Sequence, residues 1–176
     1  MNNQNSERSH GTSVLLGLML CMLALASTSS WSHAAVSDTT ETAEVKGVIA
    51  AYAKSIDAAD VTLAAQIWLT DSNVSFIHPR GHERGWEEVK TNFYQKMMGA
   101  RFSERRLMVR DVVVRVLGDT AWVEFYWEFA AKMKADGSAL DTTGRETQVL
   151  KKTEQGWRIV HVHYSGMPVT GERQGF

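Results

Sequence analysis

Thiols, prolines and net charge are all scarce in this chain. Its 176 residues hold one cysteine, Cys21, and two prolines, Pro79 and Pro168, and 19 basic residues face 20 acidic ones. A single cysteine excludes an intrachain disulfide and a metal site built on paired thiolates. Charge balance without a basic stripe argues against nucleic acid as a partner, and equally against a polyanionic or membrane-surface target. The longest apolar run, Val14 to Ala26, is too short for a comfortable membrane span. It has the length of a signal-peptide h-region, and Ser32-His33-Ala34 sets small residues at the −3 and −1 positions for cleavage before Ala35. We therefore read residues 1–34 as a signal peptide despite a weak n-region, where Arg8 stands against Glu7; an uncleaved anchor is the alternative. Leu20 before Cys21 does not suit a lipoprotein signal. Cleavage would remove the only thiol and leave an exported chain, periplasmic or secreted, with no stable membrane insertion.

What remains is enough for one domain with a real core. After a polar leader at 35–40, Val45, Val48, Ile49, Tyr52 and Ile56 recur at helical spacing, and Asp38 with Glu41 suits an N-terminal cap. Asp60 is placed to cap a second short helix carrying Leu63, Ile67 and Trp68. Val74 to His78 alternates into a strand that must end at Pro79, since proline cannot continue a ladder. Gly81 and Gly85 bracket an expected loop, and Trp86, Val89, Phe93 and Met97 mark one face of a third helix. From Arg106 the pattern turns β: Arg106–Leu117 and Thr120–Met133 flank Gly118-Asp119, a hairpin signal, and strands follow at about 144–153 and 157–165. The tail, 169–176, reads as irregular. Three helices followed by an antiparallel meander imply an α+β domain over 41–168, a cone-shaped curved sheet with helices on one face. Such a cone suits a small, largely apolar molecule.

Four of the six histidines fall in two pairs, His78 with His82 and His161 with His163. Neither pair has the Cys or Asp spacing of a zinc site, so no metal is expected. His161 and His163 share one face of their strand, opposite Val160, Val162 and Tyr164. By the same alternation Val123, Phe125, Trp127 and Phe129 form a core face, against Trp122, Glu124, Tyr126 and Glu128. Trp86 and Phe93 suit either the core or a ligand-stacking wall. The Arg105–Arg106 and Lys151–Lys152 pairs read as solvated.

Three stretches resemble the nuclear-transport-factor-two-like superfamily in its SnoaL-like, ketosteroid-isomerase-related and calmodulin-dependent-kinase association-domain branches. They are Tyr52 to Asp60, Val74 to Pro79 with Gly81 and Gly85, and Gly144 to Leu150 with Gly156 to Pro168. The resemblance implies that Tyr52 falls where the steroid isomerases place an oxyanion-hole tyrosine, that His78 replaces their aspartate base, and that Glu146 lies near their second oxyanion donor. It also implies that Glu146, Gln148 and Leu150 share the inner face and that Gln148 and Tyr164 stand where the association domain has pocket arginines. The site expected on this basis is Tyr52, His78 and Glu146 for acid–base chemistry, with Trp86, Phe93, Gln148 and Tyr164 against the ligand. Two functions stay open: a cofactor-free isomerase, dehydratase or cyclase, and a non-catalytic ligand-binding or association module. A homodimer through the sheet is expected in either case.

Overall fold

The computed structural model describes residues 30–167, so most of the expected signal segment and the tail at 169–176 lie outside the described residues. The described residues fall in two units, divided after Ser37. Of the first, residues 30–37 are described and are helical; the side-chain contacts below all lie in the second. No helix among the described residues is long and apolar enough to cross a membrane.

Helix α1 (Ser30–Ala58) buries Val45, Ile49, Tyr52 and Ile56, the stripe that its 3.6-residue period predicts. It starts well before Asp38, which corrects the expected cap there. Glu41 lies inside the helix and pairs with Lys152 Nζ at 2.5 Å. The far end closes on two reversed bonds, Asp60 N–H to Ser55 O and Ala59 N–H to Ile56 O, with Ala59 at φ 50°, a left-handed stop more often given to glycine. Asp60 then caps α2 (Val61–Ile67) as expected, its Oδ1 accepting the backbone N–H groups of Thr62 and Leu63.

Strand β1 (Ser75–His78) ends at Pro79 as predicted, but the expected loop at Gly81 to Gly85 is a strand, β2 (Gly81–Arg84). His78 pairs with Gly81 across a two-residue turn, and Phe76 faces Glu83. The third helix starts as α3 (Gly85–Glu88) and continues as π-helix over Val89–Ala100. The wider i→i+5 turn makes positions five apart equivalent. Val89, Phe93, Tyr94 and Met98 are therefore the buried set, and Met98 takes the inward place expected of Met97.

Strands β3 (Phe102–Leu117), β4 (Thr120–Met133), β5 (Ala139–Thr153) and β6 (Gly156–Gly166) form the predicted meander; β3 and β5 begin four or five residues earlier than their patterns suggested. The curved, unclosed sheet has the order β2-β1-β6-β5-β4-β3. Beyond the antiparallel meander, β1 joins β6 in parallel, matching Phe76 with Val162. Val123, Phe125 and Trp127 are buried beneath the helices, as the alternation required, and Phe129 is partly buried against the same core. In β6 a bulge against Val149 and Leu150 inserts one residue, so Trp157 and Ile159 point inward on one side of it and Val162 on the other. Val160 is consequently half-exposed and does not share the inner face with Val162, a correction to simple alternation.

The early start of β3 also corrects the reading of Arg105 as solvated. Its guanidinium lies under the helix ends and donates to the carbonyls of Ile56, Asp57, Met98 and Phe102 at 2.6–3.2 Å. Helix C-termini present unpaired carbonyls and partial negative charge, so a planar cation belongs there. Asp57 completes the junction by accepting Leu107 N–H at 2.6 Å.

Candidate functional site

The inner face of β5 carries Gly144, Glu146, Gln148 and Leu150 in one buried row, as the resemblance implied. Gly144 is there for space. A Cβ at this position would collide with the indole of Trp127 and the carbonyl oxygen of Ser165, so only glycine lets Trp127 lie across the strand. The Trp127 ring meets Tyr164 edge-on, centroids 5.5 Å apart.

Next along the row, Glu146 is 5 % exposed. Gln148 Nε2 donates to its Oε1 at 2.7 Å, and Tyr52 hydrogen-bonds the same carboxylate from α1. Burial pushes its pKa up from 4.5 to about 7, against the opposing pull of these two donors. Tyr52 is driven well above its ordinary value, first by burial and then by the charge of Glu146. Tyr164 rises to about 12 for the same two reasons. Among the described residues, two buried polar atoms in this neighbourhood have no protein partner, Trp127 Nε1 and Gln148 Oε1. An unmatched buried polar group costs about 1–3 kcal/mol, so most such atoms in folded proteins are hydrogen-bonded.

His78 reaches the same layer from the end of β1. Its ring stacks on Tyr164 at 5.9 Å with 15° between planes, and Phe76 touches both. Both its nitrogens are engaged: Nε2 with Glu83 Oε1 at 3.4 Å, and Nδ1 as acceptor of Arg80 N–H at 3.3 Å. Tyr164 thus links the imidazole to the Glu146 group. Phe93 adjoins through Phe76, centroids 4.5 Å apart. Trp86, by contrast, has Trp68 and Tyr94 as its ring neighbours, one layer deeper in the helices.

Sequence reasoning missed a second polar set. Trp68 Nε1 donates to Tyr94 Oη (3.3 Å), and Tyr94 Oη lies 2.9 Å from Ser55 Oγ, which is itself 2.7 Å from Tyr52 O. The Ser55 proton goes to that carbonyl, so Tyr94 donates to Ser55 and accepts from Trp68. Each hydrogen has a place, and the chain braces the backbone of Tyr52. It also missed Glu83 and Asn92, because a loop reading of residues 81–85 hides the pairing that turns Glu83 toward His78.

A groove of about 450 Å³ opens on the other face of the sheet, where Asp111, Val113, Glu124, Tyr126, Arg145, Thr147 and His163 surround it and Glu146 borders it. It is not the hollow expected around Tyr52 and His78, whose rings are buried under the helices. His161 also lies on this outer face, as parity predicted, and its Nδ1 bonds Ser75 Oγ at 2.6 Å. Burial, then His163 and His82 nearby, hold its pKa below the usual imidazole value.

Residues 45–170 match the SnoaL-like domain family. The chain belongs to that family. An NTF2-like superfamily protein of Salmonella enterica subsp. enterica serovar Typhimurium str. LT2 is similar to this SnoaL-like domain at 45% identity and a TM-score of 0.77, over 79% of this chain and 99% of that one. A hexachlorocyclohexane dehydrochlorinase (LinA) type 2 aligns at 9% identity and a TM-score of 0.67, over 80% and 99% of the two chains. The association domain of C. elegans CaMKII aligns at 21% identity and a TM-score of 0.59, over 73% and 98%. These two likenesses are of fold alone, and a SnoaL-like fold hosts more than one activity. No curated protein matches the chain.

Proposed function

We propose that this SnoaL-like domain binds a small, largely apolar molecule beneath its helices and performs cofactor-free acid–base chemistry on it, of the isomerase, dehydratase or cyclase type. One observation carries the reading: a buried carboxyl, Glu146, that titrates near neutrality beside two unmatched polar atoms, Trp127 Nε1 and Gln148 Oε1. A carboxyl with a pKa near the working pH exchanges protons readily in either direction, and environments that push pKa values this far recur at functional sites. In this scheme His78 removes the proton, while Tyr52 and protonated Glu146 stabilise the oxyanion that forms. Phe93, Gln148 and Tyr164 hold the body of the molecule; Trp86 supports that wall from behind.

The test begins with native mass spectrometry to identify a co-purifying small molecule, followed by its turnover in wild type and His78→Ala. A fall in kcat/KM of at least a hundredfold is expected. An unchanged value removes His78 from the mechanism.

A second reading, association without catalysis, is favoured by the outer face. Met108, Val113, Leu117 and Tyr126 are exposed there, at 42, 38, 66 and 38 %, and the adjoining groove carries Asp111 and Glu124 with Arg145. Apolar area with both charge signs is self-complementary under a two-fold axis, so we propose a homodimer through this face. Export is also part of the proposal, on the strength of the apolar run at 14–26; intact mass of the exported chain beginning at Ala35 is the expected result.

A further inference from the structure

The groups around His78 specify where its proton sits. Lys96 Nζ donates to Asn92 Oδ1 at 3.0 Å. An ammonium only donates, so the amide oxygen faces Lys96 and the amide nitrogen must face the other way. There Asn92 Nδ2 donates to Glu83 Oε2 at 2.7 Å. The carboxylate, an acceptor, presents its other oxygen, Oε1, to His78 Nε2. From the opposite side Arg80 N–H, which only donates, points at His78 Nδ1. Both ends give one answer: Nε2 carries the hydrogen and Nδ1 carries the lone pair.

We propose that Glu83, oriented by Asn92, is the positioning residue of His78, fixing the imidazole so that Nδ1 is the nitrogen that takes up a proton, at the place where the Arg80 N–H now lies. This rests on the reading of His78 as a base. In that step the substrate C–H bond breaks, its proton moves to Nδ1, and the electron pair moves onto the substrate oxygen. The resulting imidazolium keeps Nε2–H on Glu83, whose negative charge faces the new positive one, and Glu83 gains no proton. Nδ1 later returns the proton to substrate, restoring the neutral ring. Two N–H groups cannot share one contact, so the Pro79–Arg80 turn must swing aside when the substrate arrives. The turn spans two residues between His78 and Gly81, so rotation about the Pro79–Arg80 backbone frees Nδ1 while β1 and β2 keep their pairing.

The test uses the full chain labelled with ¹⁵N-histidine, at a pH where the ring is neutral, with the His78 signals assigned by their loss in His78→Ala. The expected wild-type result is a slowly exchanging proton on Nε2. A proton on Nδ1 overturns the proposal without any variant. Glu83→Gln sets an amide donor against a neighbouring donor, so the protected signal should weaken, and kcat should fall at least tenfold with KM nearly unchanged. Adding Asn92→Asp restores the order, because the new carboxylate accepts from the new glutamine amide, whose oxygen again faces His78. The double variant should recover both the signal and most of kcat. A signal unmoved by Glu83→Gln, or not recovered in a double variant with native near-ultraviolet circular dichroism, overturns the proposal. If the signal is lost and restored while turnover ignores His78→Ala, the base assignment fails and the hydrogen-bond order stands, so the two failures are distinguishable.

Discussion

Glu146 sits where a carboxylate is least welcome, and its environment decides its chemistry. Its native pKa lies above its ordinary 4.5, so between that value and about 7 the folded state binds protons that the unfolded state has released. Stability therefore falls as pH rises through this window and levels off above it, by about 3 kcal/mol at 1.36 kcal/mol per pH unit. Glu146→Gln keeps an oxygen for Tyr52 and Gln148 to bond and removes the titration. Urea unfolding of both proteins at pH 5 and pH 8 should show the variant gaining about 2 to 3 kcal/mol on wild type across the interval. A constant difference would mean that the carboxyl does not titrate there. Gly144 is the other residue whose identity is dictated locally. Gly144→Ala forces a methyl into Trp127 and the Ser165 carbonyl, and should cost about 3 kcal/mol, read as a fall in urea midpoint. Glu146 stands out in the sequence only through the family resemblance, and the need for glycine at 144 does not show there at all. One glutamate and one glycine in an ordinary strand become special only when the opposite layer is in place.

At the scale of elements, the periodicities were informative and the junctions were not. The stripe of α1, the Asp60 cap, the stop at Pro79 and the Gly118-Asp119 hairpin are local, and each was legible. The π-helix and the bulge in β6 change the spacing rule itself, so a fixed period misassigned Met97 and Val160, while a loop reading hid the β1–β2 hairpin and with it Glu83. Arg105 illustrates the same limit. Nothing in Arg105-Arg106 distinguishes the two, yet one closes the ends of two helices while its neighbour points to the other face. Replacing Arg105 with Met strands four carbonyls that the guanidinium now bonds. A loss of about 3 kcal/mol is expected in chemical denaturation, with the exposed Arg106→Met changing stability by less than about 0.5 kcal/mol.

For the whole molecule, the sheet divides the protein into two working faces. The inner face, roofed by helices, holds the buried polar row. The outer face holds the groove, the exposed Tyr126 and Val113, and the histidines of β6. The proposed catalysis and the proposed association therefore draw on different residues and can be separated. Light scattering of wild type should give a dimer, and Tyr126→Glu, which sets a charge in the centre of that face, should give a folded monomer. A wild-type monomer at working concentration would remove the dimer.

Composition, period and turn chemistry, read from the chain alone, determined the α+β class and the order of helices and meander. These follow from near-neighbour sterics and from burying an apolar stripe, which are written in residue order. The contacts of the site were decided only in three dimensions. Tyr52 with Glu146, His78 with Glu83, and Trp127 across Gly144 each join residues from separate elements. Their pairing depends on how far a strand is shifted or a helix widened, and a one-residue change in either sends a side chain to the opposite face.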